Sequence, residues 1–201
     1  MHERIIALYE EHAAAWDRQR GRDLIEKRWL DRFAALLPPG GSVLDIGCGM
    51  GEPIAGHLIE TGFAVTGVDS SPSLIAMARE RFAGGEWLVA DMRALALGRR
   101  FDGILAWHSL FHLSPEDQRP MFEIFAAHSA PGAVLLFTSG WSRGEAIGEW
   151  QGEPLYHGSL DPQEYEALLE AGGFAVVDHR VRDPECGDAT VWLARKRRAL
   201  P

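Results

Sequence analysis

The sequence predicts an α/β fold: a seven-stranded, mostly parallel sheet with helices on both faces, a terminal antiparallel hairpin and a helical cover at the N-terminus. Three observations predict it. From Ser42 onward, short apolar runs alternate with proline-started helical segments, the pattern of a buried parallel sheet covered by helices. After the last of these helices come two β-like runs, 174–181 and 190–194, joined by Arg182-Asp183-Pro184-Glu185-Cys186-Gly187-Asp188, which is turn-rich and short enough for a hairpin. Ahead of Leu37-Pro38-Pro39-Gly40-Gly41 the chain carries helical periodicity instead, so that break separates a helical cover, 1–37, from the main domain, 38–201.

In the cover, Ile5, Leu8, Tyr9 and His12 recur at helical spacing, and Leu24, Trp29, Phe33 and Leu37 do so more loosely, which predicts two amphipathic helices joined near Gly21. Strands are expected at 43–46, 64–68, 87–89, 104–107 and 134–137, runs too short and apolar for surface helices and read as interior strands. Ser71-Pro72, Ser114-Pro115 and Asp161-Pro162 each put a capping side chain before a proline whose missing N–H costs nothing in the first helical turn. Glu52-Pro53 reads as a similar start for the helix after the first strand. Asp161 with Glu164 has the form of a capping box, followed by Tyr165, Leu168 and Leu169 on one face and a Gly172-Gly173 stop. The stretch from Trp141 to His157 is too long for a tight connection. Its Trp150, Tyr156 and His157 favour a pocket wall over the mobile excursion that Gly140, Gly144, Gly148 and Gly152 would also suit.

With 201 residues and 46% hydrophobic content the chain can bury a sizeable core. Twenty basic against twenty-nine acidic residues, a net charge of −9, oppose attraction to nucleic acid or an anionic membrane. The basic run Arg195-Lys196-Arg197-Arg198 is read as a device that blunts a terminal strand. Cys48 and Cys186 are too few for a disulfide framework or a zinc site, and the charged start Met1-His2-Glu3-Arg4 leads into no long apolar run. A soluble, cytoplasmic protein is expected.

The chemistry is written at Val43-Leu44-Asp45-Ile46-Gly47-Cys48-Gly49-Met50-Gly51, where a strand runs straight into a glycine-rich turn and a helix. Glycine lets the backbone turn sharply and approach a ligand closely, and the helix N-terminus offers unpaired N–H groups. Asp69 ends the next strand, twenty-two residues after Gly47, where an acid accepts both hydroxyls of an adenosine ribose. With Asp91 and the 101–113 segment following in order, the chain resembles the class I, Rossmann-like S-adenosylmethionine-dependent methyltransferases over roughly residues 40–195. The spacing glycine-x-glycine-x-glycine matches them better than the glycine-x-glycine-x-x-glycine of dinucleotide binders.

That resemblance implies S-adenosylmethionine as cofactor, with Gly47, Cys48 and Gly49 lining its methionine part and Asp45 shaping the loop. It implies Asp69 on the ribose, Ser70 beside the adenine, Asp91 and Met92 at the adenine amino group and ring, and Trp107, His108 and Ser109 bordering the methyl-transfer pocket. Cys48, between glycines and without a partner base, is explained by its small size rather than as a nucleophile. His108 and His112 are the candidate bases; the same spacing is found in metal sites, but no third ligand is identifiable, so no metal is expected. Tyr9, Trp16, Arg20, Arg28 and Trp29 belong to the cover, which the resemblance makes a lid, against the alternative that Trp16 and Trp29 only anchor helices to the sheet.

A small-molecule methyl acceptor is the expected partner, since little chain remains for a macromolecule-recognition domain and the charge is acidic. The Asn/Asp-Pro-Pro-aromatic motif of many nucleic-acid amino methyltransferases is replaced by Trp107-His108-Ser109-Leu110. Competing readings are a nucleic-acid or protein methyltransferase, a nicotinamide-dependent oxidoreductase, which shares the Asp69 contact but expects the other glycine spacing, and a non-catalytic cofactor-binding protein.

Overall fold

The computed structural model describes residues 4–198. Residues 1–3, most of the charged start, and residues 199–201 lie outside the described residues. Seven strands form one sheet: β1 (Ser42–Ile46), β2 (Ala64–Asp69), β3 (Glu86–Val89), β4 (Phe101–Ala106), β5 (Ser129–Ser139), β8 (Phe174–Asp183) and β9 (Ala189–Lys196). Their order is β3-β2-β1-β4-β5-β9-β8. The first five pair in parallel, and β9 pairs antiparallel with both β5 and β8, as expected of the terminal hairpin. The strand order reverses between β1 and β4, and a crevice opens at such a reversal beyond the carboxyl ends of the strands.

Helices cover both faces. On one side α3 (Lys27–Ala35), α4 (Ile54–Glu60) and α5 (Pro72–Arg81) bury Trp29, Leu30, Phe33, Leu58 and Ile75 against Val43, Val65 and Leu105. On the other, α6 (Pro115–Ala127) and α7 (Pro162–Ala171) bury Phe122, Phe125, Tyr165 and Leu169 against Leu44, Ile104 and Phe137. Each fully buried large side chain contributes about 2–3 kcal/mol of transfer free energy. Gly103 on β4 makes room for α3, because a Cβ there would sit 2.5 Å from the Phe33 ring. Residues from 1–37 therefore help build the core under the sheet.

The caps follow the sequence in part. Ser71 and Ser114 accept from the N–H groups of Leu74 and Asp117. Asp161 accepts from Gln163 N–H, but Glu164 turns outward to Arg119 at 2.6 Å, so the expected capping box is only half made. Glu52 is not a cap: α4 begins at Ile54, and the Glu52 carboxylate pairs with Arg22 and Arg81.

Four other expectations are corrected. The first cover helix breaks at His12 (φ −109°, ψ 20°) into α1 (Ile5–Glu11) and α2 (Ala13–Gln19), giving three helices before β1 rather than two. β3 is an edge strand rather than an interior one, with Glu86 and Val89 exposed. The segment from Trp141 to His157 is no loop: β6 (Gly144–Trp150) and β7 (Glu153–Ser159) form a separate antiparallel hairpin. The basic run does not blunt an edge, because β9 lies inside the sheet; Arg195 and Lys196 instead donate to the carbonyls of Gly132 and Gly172.

Candidate active site

Beyond the carboxyl ends of β1, β2 and β4 lies a cavity of about 350 Å3. It is lined by the whole sequence-predicted set: Asp45, Gly47, Cys48, Gly49, Asp69, Ser70, Asp91, Met92, Trp107, His108, Ser109 and His112. Gly47, Gly49 and Gly51 all have positive φ (80°, 55° and 84°). At Gly47 the requirement is twofold, since a Cβ there would also fall 2.3 Å from Ser109 Cβ. Ser109 donates to the Ile46 carbonyl at 2.7 Å and so ties the loop after β4 to the loop after β1.

Asp69 organises the loop. Its Oδ2 accepts from Gly49 N–H and its Oδ1 from Ser71 N–H, each at 2.9 Å. Each oxygen keeps lone-pair capacity toward the cavity. Burial pushes the Asp69 carboxyl up, opposed by the N–H groups of Ser71, Gly49 and Ser70. Asp45, buried beside it, is pushed up to about 7 by desolvation and then by the Asp69 charge. Cys48 turns its thiol onto β2, where a Cβ at Gly67 would meet Sγ at 2.8 Å, and burial raises its pKa, the opposite of an activated nucleophile. Asp91 reaches the cavity rim, but its carboxylate is held by Arg93 Nε at 3.0 Å, so an adenine amino group there would compete with that pair.

The histidines differ. His112 is buried between elements far apart in sequence. Its Nδ1 faces the Tyr156 carbonyl at 3.0 Å and its Nε2 the Tyr9 hydroxyl at 3.0 Å. A carbonyl only accepts, so Nδ1 carries the proton and Nε2 accepts from Tyr9. Desolvation pulls His112 down to about 4. His108 holds a left-handed backbone (φ 50°), fixed by its N–H donating to Thr138 Oγ1 at 2.8 Å. Burial, then Arg20, then His157 pull His108 down to about 4, and the ring's exposure at the cavity mouth moderates that pull. Both imidazoles are therefore neutral at pH 7. Among the described residues they form no metal-ligand group; the single group of that kind, Glu11, His12 and Glu153, lies outside the cavity, where Arg4 already pairs with Glu153.

The cover closes the site through contacts that its sequence did not announce. Glu10 of α1 accepts from the hydroxyls of Ser71 and Ser73 and from Ser73 N–H, which fastens α1 to the start of α5 and holds the Glu10 carboxyl below its usual range. Tyr9, Trp16 and Arg20 line the cavity. Trp150 of the hairpin stacks on Tyr9 at 5.3 Å, meets Trp16 edge-on at 5.7 Å and donates to Gln19 Oε1. Of the other cover residues, Trp29 donates to Asp183 in the core at 2.8 Å and Arg28 pairs with Glu185, both away from the cavity. Leu155 and His157 of the hairpin do reach it, which makes the hairpin a wall of the pocket.

A family model described as a methyltransferase domain matches residues 16–179. The chain belongs to that family. Among curated relatives, the dTDP-3-amino-3,6-dideoxy-alpha-D-glucopyranose N,N-dimethyltransferase of Streptomyces fradiae is 33% identical over 106 residues, 52% of this chain and 41% of that protein. The putative methyltransferase YqeM of Bacillus subtilis (strain 168) is 29% identical over 136 residues, 65% of this chain and 54% of that protein. The chain thus spans about half the length of the curated relatives it matches. Among solved structures, Streptomyces venezuelae DesVI superposes with a TM-score of 0.73 at 19% identity, covering 92% of this chain and 98% of that one. The S-adenosylmethionine-bound amino pentose methyltransferase CalS10 of Micromonospora echinaspora gives 0.72 at 21% identity, covering 92% and 96%. The fold is that of the class I S-adenosylmethionine-dependent methyltransferases.

The residues fit that cofactor. The glycine loop leaves no room for a side chain at Gly47, and the Asp69 carboxylate that lines the cavity has acceptor capacity left beyond its bonds to Gly49 and Ser71, as a ribose diol would require.

Proposed function

We propose that this chain transfers a methyl group from S-adenosylmethionine to a small-molecule acceptor, an amine being best supported. The observation that carries the reading is the cavity at the β1/β4 reversal, where the positive-φ glycine loop and the Asp69 carboxylate meet in a chain of the methyltransferase family. When bound, the cofactor supplies an electrophilic methyl group on a sulfonium; the protein's part is to align the acceptor behind it and exclude water.

A second cavity of about 450 Å3 adjoins the first through His108, Phe111 and His157, and it is our candidate acceptor chamber. Its size suits a small molecule. The amine reading rests on proton chemistry. His108 and His112 are weak bases, and His112 Nε2 is occupied by Tyr9, so neither is suited to stripping a hydroxyl proton. A neutral amine would bring its own lone pair to the methyl group that the cofactor would supply, so no side chain of this chain would have to take a proton before transfer. His108, which lines both cavities, then serves as a hydrogen-bonding group that orients the acceptor. Relatives named as amino-sugar N,N-dimethyltransferases, from Streptomyces fradiae and Streptomyces venezuelae, support the same choice.

No helix of the described residues is long and apolar enough to cross a membrane. Cys48 and Cys186 are free thiols, in keeping with the cytoplasm as the working compartment. The test follows label from methyl-labelled S-adenosylmethionine, with the purified protein, into small-molecule, protein and nucleic-acid fractions of a cell extract. Label is expected in amine-bearing small molecules; label in protein or RNA would overturn the acceptor class.

A further inference from the structure

We propose that the methyl acceptor carries an anionic group, a phosphoryl or a carboxylate, away from its amine, and that Arg143 is the specificity-determining residue that binds it, with Trp141 covering the apolar body between. The proposal rests on the reading of this chain as an amine methyltransferase and names the class of amine.

The second cavity is built where two connections meet. Ser139 of β5 pairs with Thr190 of β9, so the connection 140–143 that leads into β6 and the turn 187–188 that leads into β9 start side by side. Gly140 lies so close to β7 that a Cβ there would fall 2.6 Å from Ser159 Cβ, which holds the first connection down on the hairpin. His108, Phe111 and His157 line both cavities and mark the passage between them. An amine that receives the methyl group stands at that passage.

An amine must be unprotonated to accept a methyl group, so its own charge cannot hold the acceptor in place. Binding has to come from the part of the molecule that does not react. Among the described residues lining the chamber, Arg143 is the only Lys or Arg. It makes no hydrogen bond, ion pair or ring contact with a described residue. The acids of the chamber are already engaged: Asp188 faces Arg182 at 3.5 Å, and Glu145 is a hydrogen-bond partner of the Tyr156 hydroxyl. The imidazoles add no positive charge, since burial pulls both His108 and His157 down. Arg143 is therefore the uncompensated charge that an acceptor meets there. A guanidinium offers a planar fork of donors that matches a carboxylate or a phosphoryl group with two parallel hydrogen bonds. Trp141, on the same connection, is 61% exposed, the most exposed large apolar side chain among the described residues. An aromatic ring left open on a cavity wall is suited to cover apolar ligand surface.

The test follows label from methyl-labelled S-adenosylmethionine into the small molecules of a cell extract and passes them over a strong anion exchanger at about pH 11, above the pKa of an alkylamine. Labelled product is expected to be retained. Phosphodiesterase and alkaline phosphatase together separate the two sources: release from the resin means a phosphoryl group, and continued retention a carboxylate. Arg143→Met is expected to lower the initial rate of this labelling about tenfold or more, with S-adenosylhomocysteine affinity changed less than about twofold. Arg143→Lys, which keeps the charge and loses the fork, is expected to fall between parent and Arg143→Met. Labelled product that passes the resin unretained, or an Arg143→Met rate equal to the parent's, overturns the proposal and leaves amine transfer standing. No label in any small molecule overturns the small-molecule reading on which it rests.

Discussion

At the residue scale, the burial of Asp45 makes stability depend on pH. Its folded pKa of about 7 lies above the ordinary carboxylate value because burial and Asp69 disfavour its charge. A raised carboxyl stabilises the fold fully below about pH 4, and that contribution is lost as pH climbs toward 7. Asp45→Asn removes the penalty, so the ligand-free variant should be more stable than the parent at pH 8 by on the order of 1–3 kcal/mol, with the difference vanishing near pH 4. Urea melts at the two pH values measure this, and a difference of the same size at both would contradict it. Glycine positions and Asp69 were legible in the sequence because a strand end, a turn and a helix start constrain which residue types fit. The Tyr9–His112 pair was not, since its members stand 103 residues apart and nothing local marks them as partners.

At the element scale, the β6–β7 hairpin shows where local reading runs out. A strand announces itself by a buried face, and β6 has none: every residue from Gly144 to Glu149 is exposed. Its glycines read as a loop for the same reason. The apolar strands β1, β2, β4 and β5 were legible because both their faces are covered, while the edge position of β3 depends on strand order, which periodicity does not encode. What holds the hairpin to the cover is a small aromatic and polar set centred on Trp150. Aromatic pairs of this kind contribute about 0.5–1.5 kcal/mol each. Trp150→Ala should therefore speed S-adenosylhomocysteine dissociation roughly tenfold by stopped-flow fluorescence, with the melting temperature little changed, because Trp150 lies outside the two large clusters that pack on the sheet. An unchanged dissociation rate would mean that the cover does not gate the site.

At the scale of the whole molecule, the sheet order decides what the cavity can be. Parallel strands that reverse direction of progression at β1/β4 place the glycine loop, Asp69 and the β4 end around one crevice, and the antiparallel β8–β9 hairpin completes the sheet of the methyltransferase fold. The order was inferable only through resemblance; the sequence itself supplied the alternation and the hairpin. Dinucleotide enzymes also carry an acid at this strand end, so the decisive contrast is between ligands. Calorimetric titration of the full chain with S-adenosylhomocysteine and, separately, with NAD tests the central claim most directly. One saturable site for S-adenosylhomocysteine, weakened at least tenfold by Asp69→Ala, and no NAD binding is the predicted result; NAD binding without S-adenosylhomocysteine binding would contradict it.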